Sequence, residues 1–265
     1  MSRLDFELVK RGLAQSRERA KEHIQNGEVI VNGRCARKPS DEVSENDDIC
    51  LVGETLKYVG RGGLKLEKAL FEFKINLSGR TCLDIGASTG GFTDCMLQNN
   101  ACKVYAVDVG HGQLAEKLVN DPRVINIEGV NVKDICSDMF SELIDFICAD
   151  LSFISVKYAA DAARDILQRD GEAVLLIKPQ FEAGKEHLSK GGIVKDKSVH
   201  VDVLKSLCAY FCSIGFEISG LIPSPIKGGN GNIEYLIHLV KRDCFTAYNI
   251  DFKELCGWAF ASLKG

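Results

Sequence analysis

No two of the eleven cysteines form a Cys-x-x-Cys pair, and none stands with histidine at zinc-ligand spacing. A zinc finger and a dithiol redox motif are thereby excluded, and no metal is expected. Cys82, Cys148 and Cys208 fall inside strand or helix patterns and read as reduced, buried small hydrophobes of a reducing cytosol. No apolar run approaches the length of a membrane span; the longest are strand-sized, such as Ala173 to Ile177. Charges begin at Arg3 with no apolar signal region, so secretion by that route is not expected and a cytoplasmic protein is. What remains is ordinary globular composition, with a length that fits one large domain and one small one.

The net charge of −4 is unevenly spread. Residues 1–40 hold nine Lys or Arg against five acids, so this segment is +4 and the remainder −8. A basic end on an acidic body points to a polyanion partner docked there; a solvated helix face is the plainer explanation of the same charges. Leu4 to Arg11 has helical apolar spacing, with Leu4, Leu8 and also Phe6 and Val9 as candidate core, and Gly12 ends it. Ser16 is a good N-cap for a second helix through Ala20 and Ile24, which Asn26-Gly27 stops. Val29-Ile30-Val31 reads as a strand, Asn32-Gly33 as a hairpin turn that Cys35 follows, and Ile49 to Val52 as a closing strand. The stretch Ser16 to Gly33, with Arg17, Arg19 and Lys21 on its helix, resembles the S-four RNA-binding domain. The resemblance implies that this helix face meets structured RNA, with Lys and Arg contacting phosphate.

An acidic, polar linker runs from Asp41 to Asp48, and Gly53-Glu54-Thr55 breaks the pattern again. Gly60-Arg61-Gly62-Gly63 then reads as a flexible hinge or a site of close backbone approach, before a helix with Leu64, Ala69, Leu70 and Phe73 apolar.

The run Asp84-Ile-Gly86-Ala-Ser88-Thr89-Gly90-Gly91-Phe92-Thr93 carries the most information. It follows a strand signal at 81–85 and opens a helix, and a second strand at 104–107 ends in Asp108. Strand, glycine turn, helix, strand and terminal acid form the nucleotide-binding half of a Rossmann-like fold. The run departs from Gly-x-Gly-x-x-Gly, the pattern that cradles a pyrophosphate. It suits S-adenosylmethionine, whose sulfonium and amino-acid tail favour nearby carboxylates, while Asp108 suits two ribose hydroxyls.

Further strands are expected at 124–127, 144–149, 172–177, 216–221 and 233–240, with helices at 90–99, 113–119, 155–168 and 198–213. That alternation predicts a doubly wound, seven-stranded α/β sheet with a late antiparallel edge. Ligand groups in such sheets collect at the carboxyl ends of the strands, where Asp150 and Lys178 stand. Glu234 opens the last strand, and Lys65 lies on the helix before the sheet. A lysine that ends an apolar strand, with a second lysine near, is pushed toward the neutral amine that can act as a general base. Asp150 would hold that lysine and place the methyl donor, and Glu234 would orient Lys65. The bland alternative is a surface-loop lysine paired with an acid.

Six segments together are similar to the TlyA family. They are 61–66, 84–93, Asp108 to Leu114, Asp150 to Ser155, Lys178 to Gly184 and Gly231 to Tyr235. Family members are ribosomal RNA 2′-O-methyltransferases, historically labelled haemolysins, with an FtsJ-like core and a Lys-Asp-Lys-Glu tetrad. The resemblance implies an RNA-binding domain at 1–55, a linker at 56–63 and an S-adenosylmethionine-dependent methyltransferase domain at 64–265. It implies the tetrad Lys65, Asp150, Lys178 and Glu234. Donor contacts are expected from Asp84, Gly86, Ser88, Thr89, Gly90, Gly91, Phe92, Asp108, Val109, Asn131 and Asp150. RNA contacts are expected from Arg3, Arg11, Arg17, Arg19, Lys21, Arg61, Lys185 and Lys190. The implied partner is ribosomal RNA or a ribosomal subunit, with no membrane and no obligate protein partner. Gly60 departs from the serine that many relatives carry there. A terminal helix at 250–263 matches the longer members, which act on both subunits.

The mechanism then expected turns the target nucleotide out of its stack and lets Lys178 take the 2′-hydroxyl proton. Rival readings are a base N-methyltransferase built on Asp150-Leu-Ser-Phe153, a non-catalytic ribosome-assembly factor, a pore-forming haemolysin and a pseudouridine synthase. His23, His111, His187, His200 and His238 show no metal spacing, and His111 reads as pocket wall. Trp258 reads as packing, Phe92 as packing beneath the glycine turn, and Phe153 as either core or base-stacking.

Overall fold

The computed structural model describes residues 2–44, 46–51, 57–228, 231–242 and 248–263. Glu45 in the acidic linker, Val52, the breaker Gly53-Glu54-Thr55, the linker start at 56, and Gly229-Asn230 lie outside the described residues. Two compact units divide the chain between Lys57 and Tyr58.

The first unit contains β1 (Ser2–Arg3), α1 (Leu4–Lys10), α2 (Arg17–Gln25), β2 (Val29–Val31), β3 (Arg34–Cys35), β4 (Glu42–Val43) and β5 (Ile49–Leu51). Ser16 caps α2, its Oγ accepting from Arg19 N at 3.2 Å. Asn32 and Gly33, with φ of 49° and 77°, make the turn that folds β3 back on β2, and β5 pairs with the other side of β2. Leu4, Leu8, Ala20, Ile24, Val29 and Ile49 close into one core. Phe6 stays out of it, 52% exposed, because the i, i+4 pair Leu4 and Leu8 already defines the buried face of α1.

The second unit contains α3 (Gly62–Phe73), β6 (Thr81–Ile85), α4 (Gly91–Gln98), β7 (Lys103–Asp108), α5 (Glu116–Val119), β8 (Val124–Glu128), β9 (Ile144–Ala149) and α6 (Lys157–Ile166). It continues with β10 (Leu167–Ile177), α7 (Pro179–Glu182), α8 (Lys197–Ser213), β11 (Phe216–Pro223), β12 (Tyr235–Lys241) and α9 (Phe252–Ser262). Seven strands lie in the order β11-β12-β10-β9-β6-β7-β8. Side chains alternate between two apolar layers. Leu83, Tyr105, Ile147 and Leu175 face α6, α8 and α9, while Cys82, Val104, Phe146 and Val174 face α3 and α4.

Three expectations need correction. The antiparallel strand is not the edge: β12 lies between β10 and β11 and is buried from Tyr235 to Val240. The helix expected at 155–168 ends at Ile166, since Leu167 already pairs with Ile144; an irregularity with Asp170 at φ 59° follows before regular pairing resumes at Glu172. The helix expected from 113 starts at Glu116, because side-chain carboxylates organise the segment before it: Gly110 N donates to Asp108 and Gly112 N to Glu128.

The glycine knot at 60–63 is a close-approach site packed within the second unit. A Cβ on Gly63 would stand 2.4 Å from the Tyr58 ring, and one on Gly91 would stand 3.0 Å from Gly63 N. Val59 N donates to Asp94 Oδ2 at 2.8 Å, which anchors the segment further.

Candidate active site

The sheet order reverses between β6 and β9, and there the polar groups converge. Gly86, just past β6, has φ +83°, and a Cβ there would stand 2.8 Å from the Asp150 carbonyl. Only glycine takes that backbone angle without penalty and lets the two strand ends approach this closely. Beside them opens a cavity of about 570 Å³ lined by Gly86, Ser88, Asp108, Asn131, Asp150 and Phe153, with Val109, Val130, Ile135 and Leu151 as apolar wall. Asp108 Oδ2 accepts from Ser88 N at 2.8 Å and Oδ1 from Gly110 N at 2.7 Å. These bonds fix the carboxylate and leave each oxygen a second lone pair for hydroxyls.

Five expected donor contacts lie off this wall: Asp84, Thr89, Gly90, Gly91 and Phe92. Asp84 is wholly buried, accepting from Thr93 Oγ1 at 2.7 Å. Burial pushes its carboxyl up to about 7, against the pull of the Thr93 hydroxyl and the Cys148 thiol. Gly90, at φ +92°, gives room to Leu118 and Leu114, whose methyl carbons would stand 2.2 and 2.8 Å from a Cβ. Asp84 and Gly90 support the turn from its buried side. Phe92 is buried there.

The four tetrad residues form one connected chain. Lys65 Nζ donates to Glu234 Oε2 at 2.7 Å and lies 3.7 Å from Asp150 Oδ2. Lys178 Nζ lies 2.5 Å from Asp150 Oδ1 and donates to Ser152 Oγ at 2.9 Å. Register explains the meeting. Ile177 pairs with Tyr235 across antiparallel strands, so Lys178 leaves β10 where Glu234 enters β12. Lys65, Lys178 and Glu234 are buried. Asp150 Oδ1 is also buried and accepts no well-aligned hydrogen bond, so the Lys178 contact is an ion pair without directed bonding. Two ammonium groups and two carboxylates leave the cluster neutral, which offsets its desolvation. Gly228 is required here, since its Cβ would stand 1.9 Å from Glu234 Oε1.

A second cavity, of about 560 Å³, is lined by Ser152, Phe153, Lys178, Gln180, Lys185, Asn232 and Glu234. It shares Ser152 and Phe153 with the first. Phe153 is 91% exposed, with φ +65°, and its ring is 5.1 Å from Phe181. Its exposure removes the core reading. Glu182 ties the two loops together, accepting from Val156 N at 2.7 Å and Ser155 Oγ at 2.8 Å. Sequence reasoning did not single out Ser152, Gln180 or Glu182. Their signal was proximity to the strand-end acid and lysine. His111 is not part of either wall and stands instead against Gly129. Trp258 is 58% exposed, which corrects its reading as packing.

The expected RNA-binding cations differ in surroundings. In the first unit, Arg3 and Arg17 both pair with buried Asp5, at 3.0 and 2.9 Å. Arg11 pairs with Glu7 and donates to the carbonyls of Asp47 and Ser44, so it serves the unit's own packing. Arg19 pairs with Glu22, and Lys21 is half-buried. Arg34, Arg37 and Lys38, not singled out from sequence, are exposed. In the second unit Arg61, Lys185 and Lys190 are exposed, and Lys185 lines the second cavity.

Comparison with known proteins agrees along the chain. The FtsJ-like methyltransferase family matches residues 58–241 and the S4 domain family residues 2–49. Hemolysin A of Brachyspira hyodysenteriae is 45% identical over 90% of this chain and 99% of that protein. The 16S/23S rRNA (cytidine-2′-O)-methyltransferase TlyA of Mycobacterium tuberculosis is 41% identical over 90% of this chain and 89% of that protein. A solved structure from Streptococcus thermophilus that carries the hemolysin name superposes with a TM-score of 0.82 at 43% identity, covering 99% of this chain and 97% of that one. The chain belongs to the TlyA family, in which an S4 domain precedes an FtsJ-like methyltransferase domain.

Proposed function

We propose that this protein transfers a methyl group from S-adenosylmethionine to the ribose 2′-hydroxyl of a cytidine in ribosomal RNA. One observation carries the reading: the neutral Lys65–Asp150–Lys178–Glu234 chain stands where two cavities meet. The first cavity fits the methyl donor. Asp108 has lone pairs that would hold its ribose hydroxyls, the apolar wall around Val109 and Ile135 would take its adenine, and Gly86 and Ser88 would border its amino-acid tail. When bound, S-adenosylmethionine supplies an electrophilic methyl and a positive charge near Asp150.

The second cavity receives the target nucleotide, with exposed Phe153 as a stacking surface for its base. Asp150 Oδ1 and Lys178 Nζ hold the 2′-hydroxyl. Lys178 first gives its ammonium proton to solvent and then, as the amine, takes the hydroxyl proton when the oxygen attacks the donor methyl and the sulfur–methyl bond breaks; it ends as an ammonium beside Asp150. Lys65 and Glu234 keep Asp150 in place and balance its charge. The S4 domain holds structured RNA through phosphate contacts, from Arg19, Lys21 and the exposed Arg34, Arg37 and Lys38. Lys185 and Lys190 add to this from the second unit. A ribosomal substrate fits a cytoplasmic location.

Two lysines beside the acid favour ribose over base methylation, because an exocyclic amine needs no lysine base. The test is methyl transfer from labelled S-adenosylmethionine to unmodified large and small subunits, assayed separately and digested to nucleosides. Label in 2′-O-methylcytidine is the expected result. Label on a base would return the site to the Asp150-to-Phe153 alternative, and absence of both transfer and donor binding would leave an assembly factor.

A further inference from the structure

We infer that Gln180 is a specificity-determining residue whose side-chain carbonyl accepts a hydrogen bond from the 4-amino group of the target cytosine. The inference rests on the reading above.

Gln180 follows Lys178 by two residues and lines the second cavity with it. Its Nε2 faces Glu234 Oε1 at 3.5 Å, and the other oxygen of that carboxylate accepts from Lys65 at 2.7 Å. A carboxylate only accepts, so it fixes the sense of the amide: the nitrogen turns to Glu234 and the oxygen away from it. That oxygen, Oε1, is buried and accepts nothing. Among the described residues three buried side-chain polar atoms make no hydrogen bond, and two belong to this site: Asp150 Oδ1, which is ion-paired with Lys178, and Gln180 Oε1. A buried acceptor left open costs free energy until a donor arrives.

The chemistry of an RNA strand narrows the donor. Phosphates offer only acceptors, and the ribose of an internal nucleotide offers one donor, its 2′-hydroxyl. That hydroxyl must lie at Lys178 and Asp150 and give its proton to Lys178 to react, so the target ribose has no donor left for the second open acceptor. The second is left for an N–H on a base edge. In a pyrimidine held with its 4-position toward Gln180, cytosine presents an amino donor and uracil a carbonyl acceptor. Uracil would then set two acceptors against each other, and sites built to accept a hydrogen bond reject such analogues strongly.

The test compares kcat/KM on unmodified ribosomal subunits whose target nucleotide, located by the primer-extension stop at the 2′-O-methyl group, is cytidine or is replaced by uridine. The wild-type protein is expected to prefer cytidine by about tenfold or more. Gln180→Met, which keeps length without a strong acceptor, brings the ratio close to one. Gln180→Asn, which keeps the amide on a shorter arm, retains part of the preference. A wild-type protein indifferent to the base overturns the inference, as does a Gln180→Met variant that slows both targets equally. In those cases label still enters ribose and the proposed function stands. Label on the base, or none, overturns the function and this inference with it.

Discussion

Lys178 Nζ stands 2.5 Å from Asp150 Oδ1, yet that buried oxygen accepts no aligned hydrogen bond. The ammonium directs a hydrogen bond to Ser152 Oγ instead, at 2.9 Å. The pair is held by charge, and the acid keeps a lone pair for a further donor. Asp150 lines the first cavity, beside Ser152 and Phe153, which the two cavities share.

The Lys65–Glu234 pair supports the site from behind. Glu234→Gln removes the compensating charge from a buried ammonium at 2.7 Å. The expected outcome is a loss of about 3–5 kcal/mol of stability, with methyl transfer falling alongside. Urea unfolding of both proteins measures the first. Unchanged unfolding would show that Lys65 is compensated elsewhere.

Gly86→Ala tests the close approach of the strand ends. The added Cβ meets the Asp150 carbonyl at 2.8 Å, at a φ of +83°. Left-handed backbone alone costs an L-residue about 1–2 kcal/mol, and the clash displaces Asp150. Donor affinity measured by titration calorimetry should weaken, with binding at wild-type strength contradicting the placement of the donor cavity.

Asp84 gives stability a pH dependence of definite sign. Its folded carboxyl is raised to about 7, above the ordinary range, so the folded state holds this proton more tightly than the unfolded state. Its contribution therefore falls as pH rises from the unfolded value toward 7 and is flat beyond. Asp84→Asn, which keeps an acceptor for Thr93, should flatten that fall. Denaturant midpoints at pH 5 and pH 8 make the comparison.

Asp5 has the opposite sign. Arg3 first, and then Arg17, hold its carboxyl down to about 2 against the cost of burial. The stabilisation is present above the unfolded carboxylate range and is lost as pH falls toward 2. Both arginines are half exposed, so Asp5→Asn is expected to cost only about 1–2 kcal/mol. Hydrogen exchange at neutral pH should show faster opening of α1 and α2 in the variant, with α6 and α8 unchanged.

The sheet was readable because β6, β7, β9 and β10 are apolar runs that end in Gly86, Asp108, Asp150 and Lys178, and both faces of a parallel sheet demand such runs. The position of β12 was not, because an apolar strand fits an interior place or an edge on composition alone. Asp84 and Phe92 sit in the most informative motif, yet they support the turn from below. Spacing does not tell which side of a turn a side chain takes. Arg11 counted as a basic residue, and only the structure reveals its bonds to Glu7, Ser44 and Asp47. Gln180 and Glu182 stand next to the strand-end lysine, but their partners lie on loops distant in sequence, so proximity alone did not give their roles.

The most direct test of the account is the single-turnover rate of 2′-O-methyl formation by Lys178→Met, at saturating donor and saturating ribosomal subunit. Methionine keeps the length of the side chain and removes its proton acceptor. If Lys178 takes the hydroxyl proton, the rate falls by about 10²–10⁴-fold while donor binding persists. A rate within a few-fold of wild type would contradict the account and leave the proton to Asp150 or to water.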